Sequence, residues 1–450
     1  MNVLKSRLRN LTPWRAIVGY YFIAVIVSVF LLSLPPVYQP GVRLSFLDIL
    51  FTSVSAVSVT GLTVVDVSQT FSLFGILVLI IILQIGGIGI MSVGTFFWLL
   101  FRRKIGLKKR QLIMVDHNQI NLSGLVTLIK DIIKIFLIIE LLGAIILGFC
   151  FLKHFSTFQE AFLHGLFASV SAVTNGGFTL TKNSLQLFAN DYFVQFIHMI
   201  LIILGAIGFP VLIETKKFFH SAREGKHFRF SLFTKLTTVT FFLLLVFGAL
   251  AILLLEWRNS FAGSSPLQSF FYALFQSVSS RSAGLSTIDI SEFSRSTLIV
   301  ISILMFIGAS PSSAGGGIRT TTFALNILFL YHFIKGHKTV QVFKREIHER
   351  DLVKSFAITL TAIILVLVSV LILSVTEDQS LLAIIFEICS AFGTTGLTMG
   401  ITPELSPAGK IVIMLLMFTG RIGLSSFLFM IGGKGEQMNY HYPKEHVIVG

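Results

Sequence analysis

Four short turns built around glycine recur along this chain of 450 residues: Ser58-Val59-Thr60-Gly61-Leu62, Thr174-Asn175-Gly176-Gly177-Phe178, Arg281-Ser282-Ala283-Gly284-Leu285 and Gly393-Thr394-Thr395-Gly396-Leu397. Gly61, Gly177, Gly284 and Gly396 follow one another at separations of 116, 107 and 112 positions, an internal repeat. Apart from Arg281 the turns hold no charged side chain, so what they offer a ligand is carbonyl oxygen. Carbonyl dipoles gathered around one axis replace the water shell of a cation without the fixed charge that would trap it. Glycine lets each turn adopt the backbone angles that aim carbonyls inward. The candidate ligands are therefore Val59, Thr60 and Gly61; Asn175, Gly176 and Gly177; Ser282, Ala283 and Gly284; and Thr394, Thr395 and Gly396.

A second feature belongs to the third repeat alone. The run Gly308-Ala-Ser310-Pro311-Ser312-Ser313-Ala-Gly315-Gly316-Gly317 interrupts an apolar stretch. Proline lacks a donor N–H and each glycine costs a helix about 1 kcal/mol, so no helix is expected to continue through it. A movable gate and a structural kink both suit that composition. Charges inside apolar runs face a cavity or a partner. Arg421 lies in Gly420-Arg-Ile-Gly423, Arg281 opens the third turn, Glu387 lies in the segment before the fourth and is a candidate partner for Arg281, and Arg319 follows the glycine-rich run. His164 and His198 have no second ligand at metal spacing, and Cys150 and Cys389 lie in apolar runs that suit reduced thiols. The sequence has no paired carboxylates in a span, no His-Glu-x-x-His and no Gly-x-Gly-x-x-Gly opening a helix, which argues against an enzyme or a nucleotide site in this chain.

The elements that must position these residues are set by composition. With 54% hydrophobic and 12% charged residues, the chain cannot cover a soluble surface, where about a quarter of residues are charged. Spans are expected at Arg15–Leu34, Phe71–Leu100, Leu125–Leu152, Tyr192–Phe219, Leu232–Leu255, Thr297–Phe333, Leu352–Ser374 and Gly409–Ile431. Between them, Phe46–Val57, Phe158–Val173, Leu267–Ser280 and Ser380–Phe392 are too short and serine-rich to cross and are read as re-entrant, each returning through its glycine turn. Phe51, Phe167 and Phe386 stand ten residues before their turn glycines, and Phe275 is one residue out of register. Small-residue clusters at Gly86-Gly-Ile-Gly89, Gly205-Ala-Ile-Gly208, Gly308-Ala-Ser310 and Gly420-Arg-Ile-Gly423 suit close helix packing or a bend. The expected fold is all-α and integral to the membrane: four tandem helix–pore-loop–helix repeats, eight transmembrane helices, around one pseudo-fourfold pore. Its divisions are an N-terminus 1–14, repeats 15–105, 125–220, 232–335 with the intramembrane loop 308–317, and 352–431, and a C-terminus 432–450. The net charge of +14 is gathered before the first span and in the blocks Arg102–Arg110, Lys216–Lys235 and Lys335–Lys354, which places both termini in the cytoplasm and argues against nucleic-acid binding.

Together these residues resemble the Trk/Ktr/HKT superfamily of potassium transporters, over Arg15 to Gly433, and most nearly the bacterial Ktr membrane subunits. The resemblance implies potassium uptake across the plasma membrane by channel-like conduction, the four turns serving as selectivity filter with potassium at the filter glycines. It makes residues 308–317 an intramembrane gate beneath the filter, makes Arg421 a pore-lining barrier, and leaves Arg281 and Glu387 as filter support. Glycine at position 61, where serine accompanies sodium permeation in the family, favours potassium. The resemblance further implies a homodimer in the lipid bilayer, seated on a cytosolic ring of regulatory subunits. The nucleotide is bound by that partner, with no cofactor in this chain and any sodium dependence open. The alternative is a secondary transporter coupling potassium to sodium or protons.

Overall fold

The computed structural model describes residues 13–89 and 125–431, with isolated positions of the C-terminal tail. The first basic stretch, the Arg102–Arg110 block, the end of the expected second span and most of the tail lie outside the described residues.

One order of elements is repeated four times. Repeat 1 consists of α1 (Pro13–Leu32), α2 (Phe46–Ser58) and α3 (Leu73–Ile88). Repeat 2 follows with α4 (Leu125–Phe151), α5 (Phe158–Thr174), α6 (Tyr192–Ala206) and α7 (Phe209–Arg223). Repeat 3 comprises α8 (Leu232–Glu256), α9 (Pro266–Ser279), α10 (Arg295–Ile307) and α11 (Thr320–Ile334). A two-residue antiparallel ribbon, Gln341–Val342 against Arg345–Glu346, leads to repeat 4: α12 (Glu349–Thr376), α13 (Leu381–Gly393), α14 (Pro407–Ile422) and α15 (Leu424–Ile431).

The short helices form because each begins at a hydroxyl cap. Ser45, Thr157, Ser265 and Ser380 accept the N–H of the residue three positions on, a contribution of about 1 kcal/mol each. The second arms are capped in the same way by Ser72, Asp191, Ser294 and Ser406. Phe51, Phe167, Phe275 and Phe386, one per short helix, are at most 1% exposed and wedge each short helix between its long neighbours. Phe22, Leu254 and Val375 on the long helices are 60%, 77% and 87% exposed, as an apolar face turned to lipid requires.

The first arms α1, α4, α8 and α12 are unbroken and long enough to cross a membrane. The second arms differ from expectation. They are not continuous spans, and the break is not confined to repeat 3. α3 stops at Gly89 (φ 94°), α6 gives way at Gly208 (φ 104°), α10 at Gly308 (φ 69°) and α14 at Gly423 (φ 88°). At the second of these the chain bends by 102° between α6 and α7. The small-residue clusters explain why. Gly86, Gly205 and Gly420 press directly on the carbonyls of Val57, Val173 and Phe392, at the ends of their own short helices, where no Cβ fits. The second arm can turn only after that contact, and a glycine with positive φ supplies the turn.

Candidate ion-binding ring and the loop beneath it

Three of the four short helices end in a left-handed residue: Val59 (φ 56°), Asn175 (φ 55°) and Thr394 (φ 46°). α9 ends earlier, with Ser280 still right-handed, and the positive φ falls on Ser282 (109°). In every turn a positive-φ residue thus stands two positions before the glycine, whose own φ is 90°, 69°, 69° or 95°. Alternation of this kind rotates successive peptide planes so that their carbonyls fall on one side.

The four turns close on one another. A Cβ added at Gly61 would lie 2.7 Å from Gly176 O and from Gly177 Cα, and one at Gly177 3.1 Å from Ala283 O. At Gly284 the nearest atom is Thr395 O, and at Gly396 it is Thr60 O. Each glycine therefore faces the carbonyl that precedes the glycine of the next repeat, and the fourth returns to the first. The carbonyls of Thr60, Gly176, Ala283 and Thr395 occupy equivalent places in a closed ring. Serines brace it from behind. Ser55 Oγ accepts Gly61 N–H at 3.2 Å, Ser390 Oγ accepts Gly396 N–H at 3.0 Å, Ser171 Oγ donates to Phe178 O at 2.7 Å, and Ser279 Oγ donates to Leu285 O. Sequence reasoning overlooked these four serines, although each stands four residues after the repeated phenylalanine. The Asn175 carboxamide is turned away from ligand duty, donating to Ala172 O and accepting from Ala206 N–H.

The Gly308–Gly317 loop lies against the ring. Gly316 N–H donates to Ser282 Oγ at 3.2 Å, and Ser282 Oγ donates to Thr394 O at 3.0 Å. A Cβ on Gly316 would sit 2.5 Å from Thr394 Oγ1. On its far side the loop is stitched to the break in repeat 2. Ser310 N–H donates to Ala206 O and Ala314 N–H to Gly205 O, each at 3.1 Å, and Phe209 N–H to Ser312 O at 2.7 Å.

Three arginines hold this loop. Arg421, 6% exposed, donates to Ala314 O in the loop and to Gly86 O and Gly87 O in repeat 1, the last at 3.1 Å. Arg319 donates to Gly315 O and, at 3.3 Å, to Ser310 O. Arg281 is fully buried, with its guanidinium 4.9 Å from the Phe241 ring, and donates to Gly308 O at 3.0 and 2.7 Å. This corrects the expected pairing of Arg281 with Glu387. Glu387 instead accepts from Thr402 Oγ1, while the carbonyl at the hinge of the loop satisfies Arg281. Below the loop opens a cavity of about 560 Å³ whose lining includes Ser313, Arg319, Asp351, Lys354 and Arg421.

At the start of α2, a helix length away from the ring, Lys410 of α14 meets Asp48 at 2.9 Å. Burial works to raise the Asp48 carboxyl, but the Lys410 ammonium and the Ser45 cap outweigh it and hold its pKa below the ordinary value. His198 and His164 serve packing. The first shares Nδ1 with Val194 O at 2.8 Å and the second packs, tilted, on Phe155 with ring centroids 4.1 Å apart. Cys150 and Cys389 are both free thiols.

A ring of backbone carbonyls thus lies inside a multi-pass helical membrane fold, with a loop pinned against one side of it. The family comparison agrees: the chain belongs to the cation transport protein family TrkH, whose model matches residues 16–439. It is 58% identical over 443 residues to the Ktr system potassium uptake protein D of Bacillus subtilis (strain 168), covering 98% of each chain. It is also 35% identical to the Ktr system potassium uptake protein B of that organism, over 98% of this chain and 97% of the relative. The fold matches the crystal structure of the potassium transporter TrkH from Vibrio parahaemolyticus with a TM-score of 0.74, over 94% of this chain and 85% of that one at 18% identity.

Proposed function

We propose that this chain is the pore-forming subunit of a potassium uptake system in the plasma membrane, with both termini in the cytoplasm. The observation that carries this reading is the cyclic arrangement of Thr60, Gly176, Ala283 and Thr395 carbonyls, one from each repeat. Potassium sheds water onto these dipoles and leaves them readily because none carries a full charge. Uptake then follows the electrochemical gradient, an interior-negative potential contributing about 2.3 kcal/mol per charge per 100 mV. The filter comprises residues 59–61, 175–177, 282–284 and 394–396.

The Gly308–Gly317 loop is the gate in this reading, and Arg421 places a positive charge where the ion must pass next. A cytosolic nucleotide-binding ring, bound at basic segments such as Lys216–Lys235 and Lys335–Lys354, controls it, and two copies of this chain sit on one ring. Channel-like conduction is favoured over coupling to sodium or protons because the carboxylates near the membrane are engaged away from the ring: Glu214 by Ser231 N–H, Glu387 by Thr402 and Glu140 by Gln84.

The test is potassium against sodium flux into liposomes, comparing the intact chain with one whose Ser310–Gly317 segment is shortened. Potassium-selective flux that increases in the shortened form supports pore and gate together. Monodisperse protein that carries no ion in either form would refute the loop as the main barrier.

A further inference from the structure

Glu140 lies midway along α4, and Gln84 on the facing stretch of α3, so both are at membrane depth in spans that belong to different repeats. Glu140 is 3% exposed. The Gln84 amide donates to one carboxyl oxygen of Glu140, and Ser169 Oγ donates to the Glu140 backbone carbonyl at 2.7 Å. Two oxygens remain: Glu140 Oε1 and Gln84 Oε1 are both buried and have no donor among the described residues. Buried acceptors are satisfied in stable proteins, and an unpaired carboxylate in hydrocarbon is far costlier than a neutral acid.

Among the described residues, no cation from the surrounding elements repairs this. The titratable groups on the elements packed against Glu140 are Lys130, Asp131, Lys134 and Cys150 of α4 itself; Glu160 and His164 of α5; Tyr192 and His198 of α6; and Glu214, Lys216, Lys217, His220 and Arg223 of α7. α3 has none. Among the described residues, Lys216 is paired with Asp131 at 2.7 Å, and none of these groups makes a hydrogen bond or ion pair with Glu140. One hydrogen on the carboxyl group would supply the missing donor. A carboxylic acid facing a carboxamide forms two antiparallel hydrogen bonds, each group donating once and accepting once.

We propose that Glu140 is a proton-binding site, occupied at neutral pH, whose neutral carboxyl locks α3 to α4 through Gln84 and thereby steadies the loop. The connection to the loop is short. Gln84 stands two residues before Gly86, and Gly86 and Gly87 supply the repeat 1 carbonyls that seat Arg421. Loss of the proton turns a self-satisfied pair into a carboxylate facing an amide oxygen. That displaces α3, loosens the Arg421 seat and lowers the barrier, so transport rises as the solution becomes alkaline.

Two measurements on the full-length protein in liposomes test this. The first is the infrared difference spectrum of the wild type against Glu140→Gln at neutral pH, with Glu140→Asp as a second assignment variant. The expected result is the carbonyl stretch of a protonated carboxylic acid, absent from Glu140→Gln and shifted in Glu140→Asp. A carboxylate signature alone would overturn the proton site and point to a bound cation or water between the two oxygens. The second is potassium flux from neutral to alkaline pH. The wild type is expected to rise and Glu140→Gln, whose carboxamide keeps both hydrogen bonds at any pH, to lose that rise. Equal pH profiles would overturn the link to the loop. The flux measurement rests on the gating reading above and the spectrum does not, so failure of one is distinguishable from failure of the other.

Discussion

Gly61→Ser is the most discriminating change, because its consequence is fixed by backbone rather than by flexible side chains. The new Cβ would stand 2.7 Å from Gly176 O and Gly177 Cα and 3.0 Å from the Gly177 carbonyl carbon. Ordinary contact begins at about 3.5 Å, so turns 1 and 2 must separate by roughly 0.8 Å, or the serine must leave its φ. That φ is +90°, a value which costs a side-chain-bearing residue on the order of 1–3 kcal/mol. Neither adjustment is local, since Thr60 O packs on Gly396 and Gly396 Cα lies beside Gly284. If the ring is the filter proposed above, widening one side of it removes the advantage of the larger cation. A loss of about 1.4 kcal/mol in that preference is a tenfold fall in the potassium-to-sodium permeability ratio. The assay is rubidium and sodium uptake into liposomes by wild type, Gly61→Ser and Gly19→Ala, the last a substitution with no atom within 4 Å of the added Cβ. Folded Gly61→Ser protein with the wild-type ratio would refute the assignment of Gly61 to the filter.

Other consequences follow from single contacts. Arg421→Ala removes hydrogen bonds from a charged donor to carbonyls of the loop and of repeat 1, worth about 1.5–3 kcal/mol each, and is expected to raise potassium flux at least tenfold in the liposome assay. Phe275→Ala empties a fully buried site between helices and is expected to lower stability by about 3–5 kcal/mol, read as a fall in the thermal midpoint of purified protein. Asp48 has a folded pKa below its unfolded value, so its stabilisation is present above about pH 4 and is lost as pH falls through the lowered value. Asp48→Asn should therefore be less stable than wild type at neutral pH by up to about 1 kcal/mol, the two midpoints converging in acid.

The repeats were legible in the sequence because the same physical demand is met four times with nearly the same residues. Every short helix needs a buried phenylalanine and a glycine three positions past its end or a little beyond, and those two residues stand at nearly matched spacing, whereas the hydroxyl caps fall at varying distances. The breaks in the second arms were less legible. Hydropathy runs smoothly through Gly208 and Gly423, and what accompanies the helix breaks there is the close approach of Gly205 and Gly420 to the ends of α5 and α13, a tertiary contact. Arg281 was legible as a buried charge needing a partner, but its partner is a backbone carbonyl, and carbonyls leave no mark in residue types. The same blindness concealed the serines behind the ring, since a serine that braces a turn reads as one more small residue in an apolar helix.

The irregularity of the third repeat gains meaning from the loop. Turns 1, 2 and 4 leave their helices through a left-handed residue three positions before the final leucine or phenylalanine, and the second arm passes behind them after a short break. In repeat 3 the short helix ends sooner, which leaves Arg281 and Ser282 beyond its last turn. Both residues help to hold the loop from the third turn: Arg281 takes the carbonyl of Gly308 at its start, and Ser282 takes the N–H of Gly316 near its end. A perfectly fourfold chain would have four equivalent turns and no distinct place to attach such a loop. By departing from register at one turn, the sequence keeps four equivalent carbonyls in the ring and still attaches the loop to one side of it. Restoring symmetry at that place, as Ser282→Ala would do for the bond to Gly316, is therefore expected to leave the ring glycines in place while freeing the loop, and so to increase flux without loss of the potassium-to-sodium ratio. A variant that lost selectivity with no gain in flux would show that Ser282 serves the ring rather than the loop.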